Sequence, residues 1–181
     1  MKAINKLFLI GVAFFLTSQF TYGQISFSHS VGGAYYGSPQ ASATAIMYSP
    51  RVNFLELSDE LTVSAGTHLG LGIVYNSQTG ENSFAFDFPF VEEINLGHGA
   101  NADTRSTFGG FLGLGYGYSR IGSDGAFGAN YNDALGPVFN GGIRALINER
   151  PVGLRVSHLA NTKKGFDNVL SVGLFYTIGD F

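Results

Sequence analysis

The sequence contains no cysteine and no tryptophan, and only 13% of its 181 residues are charged. Without cysteine, the chain can form neither a disulfide-stabilised scaffold nor a thiol active site. Acidic residues outnumber basic ones by 13 to 10, so the chain lacks the positive charge that nucleic-acid binding requires. Because a typical soluble domain has about 25% charged residues, the shortage of charge indicates a largely apolar surface.

Long apolar runs are also missing, apart from one near the start of the chain. Residues 7–16 (LFLIGVAFFL) are apolar and follow Lys2 and Lys6. This pattern is typical of a secretory signal peptide, and the run is too short to cross a bilayer as a helix, which takes about 20 residues. We therefore predict a signal peptide over residues 1–23 and one mature domain over residues 24–181.

Glycine and aromatic residues are abundant, with 26 glycines, 17 phenylalanines and 9 tyrosines. Apolar residues alternate with small or polar ones along most of the mature domain, which is the two-residue period of β-strands. The segment before residue 91 shows this well, because Ser83, Ala85, Asp87 and Pro89 share one face and four phenylalanines share the other. An apolar surface without transmembrane helices indicates a closed β-barrel, the one other structure that satisfies its backbone hydrogen bonds in lipid.

The alternating segments number eight, and turn-rich pieces separate them. They span residues 25–36, 44–54, 61–75, 83–96, 106–121, 135–148, 151–159 and 169–178. The predicted fold class is all-β, an eight-stranded antiparallel up-and-down transmembrane β-barrel. An even strand number puts both termini on one side, which is periplasmic in bacterial barrels. One connection on that side, residues 97–103, is longer than the tight turn expected there.

If the apolar face meets lipid, the opposite face is enclosed and carries charged residues. By this parity, the charges inside the barrel are Arg51, Asp87, Arg144 and Arg155. Glu92 or Glu93 should join them near one end. Buried charges need partners, so we predict an interior network with a structural role. The alternative is a gated polar path for a small solute, although a barrel of this size leaves no open channel.

Tyrosines mark the expected boundaries of the membrane. Most of them fall near predicted strand ends, where we expect an interfacial aromatic girdle rather than a ligand-stacking surface. They are Tyr35, Tyr36, Tyr48, Tyr75, Tyr116, Tyr118, Tyr131 and Tyr176.

The sequence indicates neither a metal site nor a cofactor site. His29, His68, His98 and His158 are far apart and lack the spacing of metal ligands. No G-x-S-x-G elbow is present. Gly97, Gly99 and Ala102 match a loose dinucleotide spacing, but no helix pattern follows them. We therefore predict no metal and no cofactor.

The C-terminal hairpin resembles part of the outer-membrane lipid A deacylases. His158 and Asn161 lie near the end of the penultimate predicted strand, and residues 174–176 (LFY) lie in the last. Those enzymes are eight-stranded barrels that use a Ser nucleophile two residues after the His and a Glu on the last strand. Here Ala160 occupies the nucleophile's position, and residues 169–176 contain no carboxylate. His158 and Asn161 are therefore weak catalytic candidates, because the imidazole has no hydroxyl to activate.

The chain as a whole resembles the small outer-membrane β-barrel families of Bacteroidota, which are related to the enterobacterial eight-stranded barrels. The resemblance rests on the signal ending before Gln24, the alternation rich in glycine and aromatics, the short connections and the C-terminal Phe181. In those families a terminal aromatic is part of the signal read by the barrel-assembly machinery, which implies that role for Phe181. The resemblance also implies outer-membrane localisation, with that machinery, outer-membrane lipid and lipopolysaccharide as partners.

These patterns together predict a non-enzymatic integral outer-membrane protein. It would support the envelope or make contacts through its outer connections, alone or in an envelope protein complex. Two alternatives stay open: a degenerate barrel of the lipid A deacylase type, and a secreted soluble β-barrel or sandwich. A soluble fold would place the phenylalanines of residues 84–90 inside and the arginines in solvent.

Overall fold

A computed structural model describes residues 25–39, 41–76, 81–101, 104–122 and 131–180. The strands are β1 (Ser26–Gly37), β2 (Ser42–Ser58), β3 (Leu61–Thr67), β4 (Leu69–Asn76), β5 (Glu81–Gly97), β6 (Phe108–Gly122), β7 (Tyr131–Ile147), β8 (Arg150–Leu159) and β9 (Val169–Asp180). Within these ranges, no helix has the length and apolar character needed to cross a membrane.

The strands form a closed antiparallel ring. Apart from β3 and β4, consecutive strands pair with each other, and β1 pairs with β2 on one side and β9 on the other. β3 and β4 together fill one position of the ring, between β2 and β5. The barrel therefore has eight positions, which confirms the predicted all-β eight-stranded fold. β1 begins and β9 ends at the same end of the barrel, called the terminal end below; the other is the opposite end.

The third strand of the ring is interrupted at His68, although the sequence predicts one strand over residues 61–75. Both β2 and β5 pair with β3 and β4 without a register shift across the gap. Continuing these registers places Pro89 opposite His68 and Pro50 opposite Thr67. Proline has no N–H to donate to the ladder, so the hydrogen bonding lapses there while the strand keeps its direction.

One predicted connection is shorter than expected. The turn-forming residues 131–133 (YND) were expected in the connection before the sixth predicted strand, but they begin β7 and pair with β6 in the order Gly122↔Tyr131, Ile121↔Asn132 and Arg120↔Asp133. The side chain of Asn132 also bonds the backbone of Asp167 twice, at 3.1 Å and 2.8 Å. These bonds outweigh the turn preference of Asn and Asp, so the predicted strand start at residue 135 is wrong.

The two faces of the wall differ sharply in chemistry. On β5, Phe84 and Phe90 are 64% and 58% exposed, whereas Asp87 and Val91 are 6% and 1% exposed. Other strands repeat this pattern, with Leu71, Leu112 and other large apolar side chains on the outside. A soluble protein hides its apolar face, and this barrel presents it, as the alternation predicts.

The interior has an apolar half and a polar half. Toward the opposite end it is filled by Tyr36, Met47, Ile121 and Val138, each at most 2% exposed. Tyr36 therefore does not belong to the predicted aromatic girdle, because its side chain points inward. Tyr35, by contrast, is 51% exposed on the outer face. The half nearer the terminal end holds most of the buried charges.

Candidate functional site

The centre of the polar half is Glu93. Alternation along β5 turns its side chain inward, where it is 3% exposed. Its Oε1 lies 3.0 Å from Nη2 of Arg155, and its Oε2 lies 3.6 Å from Nη2 of Arg144. Asn140 donates a hydrogen bond from Nδ2 to Oε1 at 2.6 Å. The carboxylate is thus shared by two guanidinium groups, a pairing that offsets the cost of burying all three charges.

A second junction lies at Asn95, two residues further along β5. Its Oδ1 accepts hydrogen bonds from Nη1 of Arg51 at 2.9 Å and Nη1 of Arg144 at 2.8 Å. Its Nδ2 donates to Oγ of Ser64 at 2.8 Å. The amide oxygen thus lies between the guanidinium groups of Arg51 and Arg144 and bonds both of them. Sequence reasoning did not single out Asn95, although it has the inward parity of Glu93.

Residues 97–101, at the end of β5 and the start of the connection to β6, fold into the terminal end of the barrel and are called the plug segment. Ala100 is fully buried, and its carbonyl accepts hydrogen bonds from Asn53 at 3.1 Å and Thr62 at 2.7 Å. The carbonyl of Gly99 accepts a bond from Nη2 of Arg51 at 2.7 Å. The connection is therefore longer than a tight turn because it also closes the barrel.

Glycine is needed where the plug segment turns inward. Gly97 and Gly99 adopt φ values of 68° and 76°, a region that other residues rarely enter. A Cβ on Gly99 would also lie 2.9 Å from Cδ of Arg144. The loose glycine spacing noted in the sequence thus serves backbone geometry and close approach to an arginine.

Asp87 stands apart from the other predicted charges. It is buried, and its Oδ2 lies 4.0 Å from Nε2 of His68. Nη1 of Arg155 lies 2.7 Å from Nδ1 of the same histidine. Since arginine can only donate, Nδ1 accepts and Nε2 carries the hydrogen in the neutral ring. His68 therefore lies between Asp87 and Arg155.

Aromatic rings complete the surroundings of the arginines. The guanidinium carbons of Arg144 and Arg155 lie 4.2 Å and 4.8 Å from the ring centre of Phe111, and Arg155 also faces Phe175 at 5.9 Å. A Cβ on Gly153 would overlap the Phe175 ring, so this glycine makes the space that the ring occupies. Cation–π contact and packing hold the guanidinium planes in place.

The structure thus brings Arg51, Arg144 and Arg155 together, with Glu93 rather than Glu92 as their carboxylate partner. Glu92 points outward and is exposed between Phe90 and Ile94. A cavity of about 20 Å³ beside the cluster is lined in part by Ser30, Ser49 and Arg51. That volume holds roughly one water molecule. With guanidinium groups held by Glu93, Asn95 and the plug segment, and with an apolar layer beyond them, the network is suited to holding the barrel wall together.

The two weak catalytic candidates lie in different surroundings. His158 has outward parity on β8, with Phe139 and Leu170 as its register partners. Among the described residues it makes no hydrogen bond or ion pair. Asn161 organises the β8–β9 connection: its oxygen accepts from the N–H groups of Leu135 and Lys163. Its amide nitrogen donates to two carbonyls of the same connection, so the side chain has a partner for each of its hydrogen-bonding positions.

Two of the predicted features fall on residues that the structure does not describe. The signal peptide, residues 1–23, and Phe181 lie outside the described residues. Within the described ranges, no three His, Asp or Glu side chains are arranged to hold a metal ion.

Neither a family model nor a curated protein matches the sequence. Solved structures do. Neisserial surface protein A (NspA) is 13% identical with a TM-score of 0.56, covering 86% of this chain and 95% of its own. Ail, the attachment invasion locus protein of Yersinia pestis, in complex with the heparin analogue sucrose octasulfate, is 10% identical with a TM-score of 0.55, covering 86% and 100%. The outer membrane enzyme PagL is 18% identical with a TM-score of 0.49, covering 84% and 98%.

The protein has the fold of the small outer-membrane β-barrels. At these identities the likeness concerns the fold alone. It agrees with the ring of eight positions and with the apolar outer face.

Proposed function

We propose that the protein is a non-enzymatic integral β-barrel of a Gram-negative outer membrane, exported by its signal peptide, with a structural or contact role in the envelope. The observation that supports it best is that apolar side chains lie outside and charged ones inside, the opposite of a soluble protein. Phe84, Phe88 and Phe90 point outward, while Glu93 and Arg155 are enclosed. A soluble barrel with this surface would expose a large apolar area to water, whereas a bilayer requires it.

A structural role fits the closed interior better than transport does. The plug segment occupies the terminal end, and the apolar layer around Met47 and Val138 fills the barrel toward the opposite end. A polar solute would have to break the Glu93 cluster and then cross that layer. We therefore do not favour the gated path.

The proposal includes periplasmic termini, insertion by the barrel-assembly machinery through Phe181, and membership of the small-barrel families of Bacteroidota. Its support is the even ring and the resemblance of the sequence. The connections at the opposite end then face outside the cell, where the β8–β9 connection presents a small ordered surface.

Gel mobility tests the membrane proposal most simply. The mature protein, purified in mild detergent from the outer-membrane fraction, should migrate differently before and after boiling, because a closed barrel resists unfolding by detergent. Recovery in the soluble fraction without detergent, together with heat-independent mobility, would contradict the proposal and favour the secreted soluble fold.

Lipid A composition tests the non-enzymatic part. Among the described residues, neither a hydroxyl nor a carboxylate bonds the outward His158, so mass spectra of lipid A should be the same in cells with and without the protein. Loss of one acyl chain only in cells that produce the protein would contradict this part. It would leave the membrane proposal intact.

A further inference from the structure

The outer surface at the opposite end carries basic side chains beside aromatic rings. The guanidinium carbon of Arg120, at the end of β6, lies 4.1 Å from the ring centre of Tyr131. Nζ of Lys163, in the β8–β9 connection, lies 5.3 Å from the ring centre of Tyr118. Lys164 is exposed beside it. These three basic residues are called the basic cluster.

The elements that carry the basic cluster are well ordered by contacts. The β8–β9 connection continues the pairing with β7 through the N–H of Thr162, which donates to the carbonyl of Leu135 at 2.9 Å. Tyr131 and Phe166 stack with their ring centres 5.8 Å apart. Because this scaffold is already fixed, binding a ligand here would cost little conformational entropy.

Three basic residues face two carboxylates, Asp133 and Asp167, in this part of the surface, so positive charge is in excess by one. Asp133 binds Nζ of Lys163 at 2.8 Å, and this hydrogen bond raises the pKa of the lysine, which stays charged. The other nearby carboxylate, Asp167, adds a second negative charge, and its Oδ2 is buried without a hydrogen-bond partner in the described part of the chain. Arg120 and Lys164 are exposed, and although Arg120 is the register partner of Asp133, neither cation makes an ion pair with a described residue. Two cations are therefore available to an anion.

The position of the cluster indicates the source of that anion. Phe86 and Tyr118 pack on the outer face with ring centres 6.3 Å apart, and Arg120 is the register partner of Phe86. Aromatic rings of this kind mark the boundary of the hydrocarbon layer. Basic residues just beyond that boundary lie at the level of lipid headgroups, where arginine can pair with phosphate through two hydrogen bonds.

We propose that the basic cluster binds a phosphate group of lipid A in the outer leaflet. This inference rests on the proposed function, because it needs the opposite end to face outside the cell. The resemblance of the sequence already implied lipopolysaccharide as a partner; the inference adds the group that is bound, a phosphate, and the side chains that contact it. The aromatic rings below the cluster would pack against the acyl chains of the same lipid.

The test compares binding of phosphorylated and dephosphorylated lipid A by the purified protein in detergent, measured by native mass spectrometry. The main variant is Arg120→Gln with Lys164→Gln, which leaves the bond between Lys163 and Asp133 intact. The matched control is Arg105→Gln with Arg150→Gln, which removes the same charge from exposed positions at the terminal end.

The wild type should prefer the phosphorylated lipid, and the main variant should bind it about tenfold more weakly, with the control unchanged. Equal binding of both lipids by the wild type would overturn the inference, and so would an equal loss in variant and control. If the wild type still shows heat-dependent mobility in those cases, only this inference fails. Absence of that mobility would refute the membrane proposal itself.

Discussion

Two neighbouring glutamates offer a matched test of which face of the barrel wall is enclosed and which is the outer face. Glu93 is enclosed with Arg144 and Arg155, while Glu92 is exposed on the apolar outer face. The substitutions Glu93→Gln and Glu92→Gln have the same chemistry and lie one residue apart. Any difference between them therefore reflects surroundings and not composition.

The expected magnitudes differ in size and in sign. Glu93→Gln removes the carboxylate that two buried guanidinium groups share, and breaking a buried ion pair costs about 3–5 kcal/mol. We expect a loss near the lower value, because the new amide can still accept a bond from Asn140. Glu92→Gln removes a charge from the apolar outer face, which contacts lipid if the proposed function is right. It should leave stability unchanged or raise it by up to about 1 kcal/mol.

The assay is reversible urea unfolding in lipid vesicles, followed by gel mobility at equilibrium, at a pH where free carboxylates are ionised. Equal effects of the two substitutions would refute the inside–outside assignment, and a larger loss for Glu92→Gln would reverse it. The double variant Glu93→Gln with Arg155→Gln, compared with both single variants, gives the coupling energy between the two residues. We expect this energy to exceed about 1 kcal/mol.

Three further predictions concern packing and the ends of the barrel. Gly153→Ala should cost about 1–3 kcal/mol in the same unfolding assay, because the new Cβ overlaps the Phe175 ring; no loss would mean that the ring moves freely. Ser106→Ala should raise the pKa of Glu60, measured by NMR, because the hydroxyl donates to its carboxylate at 2.7 Å and lowers that pKa. The stability from this bond is present above the unfolded pKa and falls as pH drops through the lower folded value; an unchanged pKa in the variant contradicts it. Asn161→Ala should speed proteolysis of the β8–β9 connection without altering lipid A, and an altered lipid A would restore a catalytic role for this residue.

The sequence was sufficient for the fold because one rule governs every strand. In β5, the two-residue alternation alone placed Phe84 outside and Asp87 inside. The strand count followed from turn residues between alternating segments. The gap at His68 was not predictable from β3 and β4 themselves, because its cause lies on other strands, in the prolines that face it.

The interior partners were harder to predict than the interior residues. Parity identifies Arg51 and Arg155 as inward, but it does not give their heights in the barrel. Those heights depend on strand register, which alternation leaves open. The central role of Asn95 and His68 was missed for this reason, and so was the position of Asp87 outside the main cluster.

The plug segment shows a different limit. In the sequence its length is a poor fit to a tight turn, and its glycines match only a loose dinucleotide spacing. What decides its path is the set of donors that Arg51, Asn53 and Thr62 offer to its carbonyls. When the carbonyls of a segment accept hydrogen bonds from side chains of distant strands, the sequence of the segment itself does not predict its path.

Fluorescence at two adjacent positions tests the central claim most directly. Because the chain has no cysteine, Phe90→Cys and Val91→Cys each introduce a single site for an environment-sensitive dye. Phe90 is 58% exposed and Val91 is 1% exposed. In vesicles that contain brominated lipid, the dye at residue 90 should be quenched and the dye at residue 91 should not. Quenching at residue 91 alone, or at neither position, would contradict a barrel whose apolar face meets the bilayer.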